Sequence, residues 1–299
     1  MTIRTFDYLY YKTRGYSDAE ISELTKTKLE DIAEMESSCI ETLKEIEALK
    51  PKAKNIGEDF VYLTRYVYAG KSDQQLGETR PDAIKARSGE LQPLPAVGTL
   101  KFDSKSFQKV VAERRTHRKY SSEKLSMEEL SFLLWCTSWS RDYRSNEKSE
   151  FTFRNVPSAG SRHPLETYLE IRMVEGLKPG LYYYHPIKHC LILLEEGQEI
   201  HQKIYEGCLR QEMIARSAVN FIFSAVPYRT SWRYGQRGYR YLYLDAGHVG
   251  QNLQLACENI DAGSCMIGAY LDEAMNDALG FDGKEEFVIY IASVGIKEA

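Results

Sequence analysis

Runs of apolar residues long enough to span a bilayer are missing from this 299-residue chain, which argues against a membrane protein. The opening stretch, Met1 to Tyr16, mixes Tyr, Lys and Arg and lacks the apolar core of an export signal. Cysteine is sparse and scattered: Cys39, Cys136, Cys190, Cys208, Cys257 and Cys265 form no Cys-x-x-Cys pair and no metal-ligand spacing, so no metal centre is expected. With neither signal nor paired cysteines, the expectation is reduced thiols in a cytoplasm. A basic excess is also missing. Lys plus Arg number 39 against 43 Asp plus Glu, a net charge of −4, which argues against a general nucleic-acid binder because few counterions would be released from phosphate. No Gly-x-Gly-x-x-Gly, Gly-x-x-x-x-Gly-Lys or His-Glu-x-x-His occurs, leaving no resident dinucleotide, phosphate-loop or zinc-protease site.

What remains is an ordinary globular composition, 43% hydrophobic and 27% charged, without repeats or low-complexity tracts. Residues 1–98 read as a helical extension and linker, and 99–299 as the main domain. In the extension, Ser17-Asp18-Ala19-Glu20 is a capping box, followed by Ile21, Leu24, Leu29, Ile32 and Met35 at roughly helical spacing. A second helical stretch runs from about Glu36 to Leu49, with Ile40, Leu43 and Ile46 three apart and Pro51 as its stop. Phe60 to Tyr68 suits strand or helix equally, and Gly70 to Gly98 reads as a connecting segment.

The main domain opens with a helix from Phe107 to Arg115. A second capping box, Ser126-Met127-Glu128-Glu129, starts a helix burying Leu130, Leu133, Leu134 and Trp135. Residues 140–155 are polar and read as loop. Leu165 to Val174 is a buried strand, Leu181 to Tyr184 and Cys190 to Leu194 form a hairpin, and a short helix occupies about Glu199 to Met213. A strand at Phe221 to Val226 follows, then a helix from about Ala246 to Ala262 capped by Asp245, and a last strand from Phe287 to Val294. Val249, Leu253, Ala256 and Ile260 form the inward side of that helix. Gly247 and Gly250 weaken it by about 1 kcal/mol each, which implies close packing there against another helix or a ligand. Strands interleaved with helices predict an α+β architecture, a central, mostly antiparallel sheet with helices on both faces.

Two stretches carry the chemistry. Val156-Pro157-Ser158-Ala159-Gly160-Ser161-Arg162-His163-Pro164 combines small residues that admit close backbone approach with a hydroxyl, a guanidinium and an imidazole, held between prolines. That composition suits gripping a flat polar ligand; it also suits a plain tight loop. Arg114-Arg115-Thr116-His117-Arg118 places three guanidiniums within five positions, which can clamp a phosphate bidentately or simply face water.

The order of motifs resembles a known family. An Arg-Arg-x-x-Arg-x-Tyr opening (Arg114 to Tyr120) precedes Leu125 to Leu130, the Pro-Ser-Ala-Gly-Ser-Arg-His-Pro loop and Gly180-Leu181-Tyr182-Tyr183-Tyr184. Asp245 to Asn252 and Cys265-Met266-Ile267-Gly268-Ala269 complete the set. Over roughly residues 105 to 297 this resembles the FMN-dependent nitroreductase superfamily, and within it the SagB-type dehydrogenases. Some of those oxidise azolines to azoles in ribosomal peptide natural products. The resemblance implies an intertwined homodimer with FMN at its interface. It places Arg114, Arg115, Thr116 and Arg118 at the ribityl phosphate and pyrimidine edge. Pro157, Ser158, Ala159 and Gly160 would lie along the ring, often from the other subunit, with Ser161, Arg162, His163 and Gln251 nearby. Met266, Ile267, Gly268 and Ala269 would cover a ring face or edge. Gly295 and Lys297 match a basic phosphate site at the family's C-terminus. His163 either contacts flavin or substrate or braces the loop; His248 reads as packing or capping.

One departure bears on the reaction. Azoline-oxidising relatives present a Lys-Tyr pair before a Tyr-Arg-Tyr stretch, here Tyr239-Arg240-Tyr241, and the lysine looks like the base. This chain has Arg233 before Tyr234. A guanidinium holds a carboxylate or polarises a carbonyl but is a poor proton acceptor. Arg233 and Tyr234 are therefore the candidate catalytic pair of an oxidoreductase acting on a peptide-derived or small organic substrate. NAD(P)H would be at most a transient electron donor. The alternatives are an NAD(P)H-dependent nitro, quinone or ene reductase, and a non-catalytic scaffold subunit of a peptide-modifying complex. The N-terminal ninety residues then serve either to dock a biosynthetic partner protein or substrate, or to extend the dimer interface.

Overall fold

The computed structural model of the chain describes residues 8, 11–12, 15–37, 56–99, 105–146 and 150–298. It divides into two compact units, Met1–Tyr68 and Ala69–Ala299, so residues 69–98 belong to the second.

In the first unit, Ser17 caps a helix at Asp18–Thr25 through the reciprocal bonds of a capping box with Glu20. Lys26, at φ 54°, ends that helix, and residues 29–37 resume it. The break divides the apolar pattern. Ile21 and Ile32 are buried with Tyr8, Met35 packs against them, and Leu24 and Leu29 face solvent. Phe60 to Tyr68 is helical, the end of Ile56–Leu63 and a 3-10 turn at Tyr66–Tyr68. Of the stretch from Glu36 to Leu49, residues 36 and 37 belong to the 29–37 helix. Ile40, Leu43, Ile46 and Pro51 lie outside the described residues, as does Cys39.

The second unit is built on a seven-stranded sheet. In chain order its strands are β1 (Leu91–Pro93), β4 (Leu165–Ile171), β5 (Gly180–His185), β6 (Cys190–Glu196), β7 (Val219–Ala225), β8 (Ala262–Ile267) and β9 (Phe287–Ile296). Their spatial order is β1-β6-β5-β4-β7-β9-β8, antiparallel at every pair. β4 and β7 are buried along their whole length because helices cover both faces. Alternation sends Leu165, Leu169, Phe221 and Phe223 to one side, where they meet α2 (Met127–Thr137) and α6 (Gly238–Asn259). Tyr168, Tyr183, Ile222 and Ile291 go to the other, against α3 (Gln198–Gly207) and α7 (Asp272–Leu279). Each fully buried leucine of α2 (Leu130, Leu133 and Leu134) contributes about 1.5–3 kcal/mol. Trp135 is only half-buried. Before α2 comes α1 (Phe107–Glu113). α4 (Glu212–Arg216) and α5 (Tyr228–Tyr234) flank β7.

Several elements differ from the sequence expectation. Residues 140–155 are not loop: β2 (Ser140–Ser145) and β3 (Glu150–Arg154) form a separate hairpin. Its inward positions are Glu150, Thr152 and Arg154, all polar, so no apolar alternation marks it. The stretch from Glu199 to Met213 is two helices, because Leu209 and Arg210 adopt φ 58° and 54°. Asp245 is no cap: α6 begins at Gly238, and Asp245 sits mid-helix and buried. Close packing holds at Gly250, where a Cβ would lie 2.8 Å from Tyr290, but nothing approaches Gly247. His248 is exposed rather than packed. The connecting segment supplies β1, paired with β6 at the sheet edge.

Candidate functional site

The proline-bounded loop is pinned from three directions. Asp245 of α6 accepts a hydrogen bond from Ser158 Oγ at 2.6 Å, and Ser158 Oγ accepts one from the His163 amide at 2.9 Å. The Ala159 amide also bonds Asp245. Burial raises the Asp245 pKa, and the Ser158 bond partly offsets that. Gly160, Ser161 and His163 all adopt positive φ, 60°, 53° and 43°. Two of them are not glycine, and strain of this kind clusters at ligand clamps.

Arg162 supplies the third restraint. Its side chain is 1% exposed. Nε donates to the Arg229 carbonyl at 2.9 Å and Nη1 to the Glu150 carbonyl at 3.1 Å, with the guanidinium over Trp232 and Phe151. It therefore braces the loop from behind. His163 is also buried, and burial with the Arg154 and Arg162 charges pushes its pKa down to about 2. That environment favours the neutral imidazole.

The loop meets the candidate catalytic pair. A Cβ on Gly160 would lie 2.5 Å from Tyr234 Oη and 3.3 Å from Arg233 Cζ and Nε. Only glycine leaves room for that approach. Tyr234 packs edge-on against Tyr241 with centroids 5.0 Å apart, and Arg237 Nε donates to Tyr241 Oη at 2.9 Å. Behind α5 runs a strap from Glu78 to Arg87. Trp232 Nε1 donates to the Glu78 carbonyl at 3.1 Å, and Arg229 Nε to the Asp82 carbonyl at 2.8 Å. The Ala83 amide reaches Glu150 at 2.7 Å, the Lys85 amide reaches Glu166 at 3.0 Å, and Lys85 Nζ pairs with Glu286. Glu166 also pairs with Arg229.

The arginine segment lies at the other end of α6. It crosses the start of β8 and the end of β9, where the His117 amide donates to the Ser264 carbonyl at 2.9 Å and Tyr120 bridges to Lys297. Gly263 and Gly295 are glycine because His117 and Tyr120 pack on them; a Cβ would meet their side chains at 2.8 and 2.9 Å. Arg114 is half-buried, while Arg115, Thr116 and Arg118 are exposed. Arg115 Nη1 donates to the carbonyls of Ala112 and Arg114. Lys297 is committed to Glu258 at 2.9 Å, which also holds Lys105.

Of the β8 residues and those just after, Ile267 faces the core, Met266 is half-buried, and Gly268 and Ala269 are exposed, with open space beside Gly268. Gln251 is exposed on α6. Asp245 and Glu258 are 13 residues apart on one helix, about 20 Å at 1.5 Å per residue. Within one chain, then, the loop joins Arg233 and Tyr234, and the arginines join Gly295 and Lys297, as two separate groups. Sequence reasoning missed Asp245 as the loop's anchor and missed the Glu150, Glu166 and Arg229 network. Apolar periodicity carries no signal for buried polar partners.

The Nitroreductase family pattern matches residues 111–296. A Methanocaldococcus jannaschii protein named as a nitroreductase, MJ1384, is 31% identical over 204 residues, 68% of this chain and 95% of its own. The trifolitoxin-processing protein TfxB of Rhizobium leguminosarum bv. trifolii is 30% identical over 110 residues, 34% of this chain and 29% of its own. A crystal structure from Anabaena variabilis, also named as a nitroreductase, superposes with TM-score 0.54 at 29% identity, over 64% of this chain and 38% of its own. The chain thus spans well under two thirds of TfxB and of the Anabaena protein. The layered α+β sheet described above is the nitroreductase-like fold. Among the described residues no helix is long and apolar enough to cross a membrane.

Proposed function

Because the chain belongs to the nitroreductase family, whose members are oxidoreductases that generally use flavin, we propose that it is an FMN-dependent oxidoreductase of the SagB-dehydrogenase type. Its substrate is peptide-derived or a small organic molecule, and it works as a cytoplasmic homodimer. The observation that carries this reading is the meeting of Gly160 with Arg233 and Tyr234, which sets a strained, small-residue loop against the two side chains expected to handle substrate.

When bound, FMN supplies a two-electron hydride acceptor and donor. The residues present fit it. Arg114, Arg115 and Arg118 carry no carboxylate partner among the described residues, and such guanidiniums suit a phosphate. Thr116 lies among them. Lys297 would have to share its ammonium with Glu258, so its part is secondary. Pro157, Ser158, Ala159 and Gly160 flank the ring, with Arg162 and His163 bracing them. Met266 and Gly268 border it, while Ile267 and Gly295 support from the core side. Arg233 binds and orients substrate, and Tyr234 exchanges a proton through its hydroxyl.

The two groups lie toward opposite ends of α6, a separation that a homodimer would close, the loop of one chain meeting the arginines of the other. The outer face of α6 supports that arrangement: Tyr243 and Leu244 are 59% and 58% exposed beside Gly247, His248 and Gln251. TfxB is named for processing a toxin, which supports a peptide-tailoring role, with Met1–Tyr68 as the element that docks a biosynthetic partner. The likeness to MJ1384 along nearly its whole length favours a second reading, an NAD(P)H-dependent reductase.

The purified protein should be yellow and release FMN on denaturation. Colourless protein that refuses added FMN would sink the flavin reading and leave a scaffold subunit. Rapid bleaching of the yellow protein by NADPH identifies the reductase; persistence of colour identifies a substrate-driven dehydrogenase.

A further inference from the structure

Arg233 is a half-buried guanidinium with no ion-paired carboxylate among the described residues. Three carboxylates of the surrounding network are already held. Glu166 is held by Arg229, Glu150 by Arg80 and Tyr143, and Asp245 by Ser158 and the Ala159 amide. Its charged neighbours are alike in sign: Arg162 lies close enough that the Arg233 and Arg229 charges, after burial, lower its pKa. Arg233 itself lies beside the Tyr234 ring, 5.7 Å from its centroid, and against the open face of Gly160. No ion pair to Arg233 exists among the described residues. A partly desolvated cation among like charges is unfavourable until an anion arrives. The planar fork of arginine matches a carboxylate in two parallel hydrogen bonds.

We propose that Arg233 is the anchor for a carboxylate on the substrate, so that the enzyme prefers acids to their neutral amides. This rests on the flavin reading for the place of the reaction, and it makes Arg233 a binding and orienting group rather than a base. The substrate class is a carboxylate-bearing compound, such as the acid end of a peptide-derived intermediate or an aromatic acid, seated beside Gly160.

The test uses FMN-loaded protein titrated with benzoate and with benzamide at low ionic strength, followed by calorimetry and by perturbation of the flavin visible bands. Benzoate should bind at least about tenfold more tightly, the scale of one charge-assisted pair, and the preference should shrink with added salt. Arg233→Lys should keep part of the preference. Arg233→Gln should abolish it, lowering benzoate affinity far more than benzamide affinity. Equal binding of acid and amide to yellow wild-type protein would overturn the carboxylate assignment while leaving the flavin reading intact. An acid preference that survives in Arg233→Gln would do the same. If Arg233→Gln fails to fold, the wild-type ratio and its salt dependence still decide. Protein that never takes up FMN defeats the flavin reading first, and the two failures are told apart by colour.

Discussion

The two ends of α6 each bury a carboxylate but differ in the arginines around it. On the loop side the buried carboxylates are paired: Glu166 with Arg229 and Glu150 with Arg80. At the other end the Glu258 carboxylate is itself buried and paired with Lys105 and Lys297, but Arg115 and Arg118 face solvent and Arg114 is half-buried, none with a carboxylate partner among the described residues. The buried end spends its charge on geometry, fixing α5, the strap and the loop relative to one another. The open end keeps its charge available for a ligand. Arg233 links them, a half-buried guanidinium beside the loop that carries no ion pair among the described residues.

If that contrast is right, the largest effect on stability comes from the buried end. Glu166→Gln leaves Arg229 and Arg154 without their counter-charge and should cost about 3–5 kcal/mol, read by chemical denaturation of the intact chain. The same group sets an acid limit. Burial alone would raise the Glu166 pKa, but Arg229 and Arg154 hold it below the ordinary glutamate value. Because the folded-state pKa is depressed, the stabilisation is fully present above the unfolded value, about 4.3. It is lost as pH falls through the folded one. The wild-type stability curve should therefore decline on the acid side below that point, and Glu166→Gln should flatten the decline; an unchanged slope would count against the pairing.

An intermediate effect is expected where the loop meets α5. Gly160→Ala forces an L side chain into φ 60° and a Cβ within 2.5 Å of Tyr234 Oη. It should destabilise by about 1–2 kcal/mol and impair turnover more than FMN retention. The smallest effect on stability belongs to the open end. Arg114→Ala should change it by less than about 0.5 kcal/mol, yet weaken FMN retention roughly tenfold or more, measured as flavin content after gel filtration. Undiminished flavin would remove Arg114 from the phosphate site.

Legibility in the sequence followed the kind of interaction. The capping boxes at Ser17 and Ser126 were readable because one short pattern satisfies the helix's own end amides. β4, β5, β6, β7 and β9 were readable because their buried faces are apolar. β2 and β3 were not, since Glu150, Thr152 and Arg154 point inward and find partners far along the chain: Ala83 and Arg80 for Glu150, the Leu165 carbonyl for Arg154. Asp245 looked like a cap because aspartate before an apolar run is one; α6 simply runs on through it, and its carboxylate meets Ser158, 87 positions away.

Local composition was enough for the layered α+β class, the capped helix starts at Ser17 and Ser126 and the two stretches, one of arginines and one of small residues, on which the family resemblance rests. Those features depend on periodicity and on bonds a few residues long, which any window of sequence contains. Only the tertiary structure decided that Gly160 abuts Arg233 and Tyr234, that the Arg162 side chain is buried against Arg229 and Glu150, and that the arginine segment packs at the Glu258 end of α6, 13 residues from Asp245. Those relations join residues separated by tens of positions through buried charge and close contact, and no local pattern in a chain records which distant groups will meet.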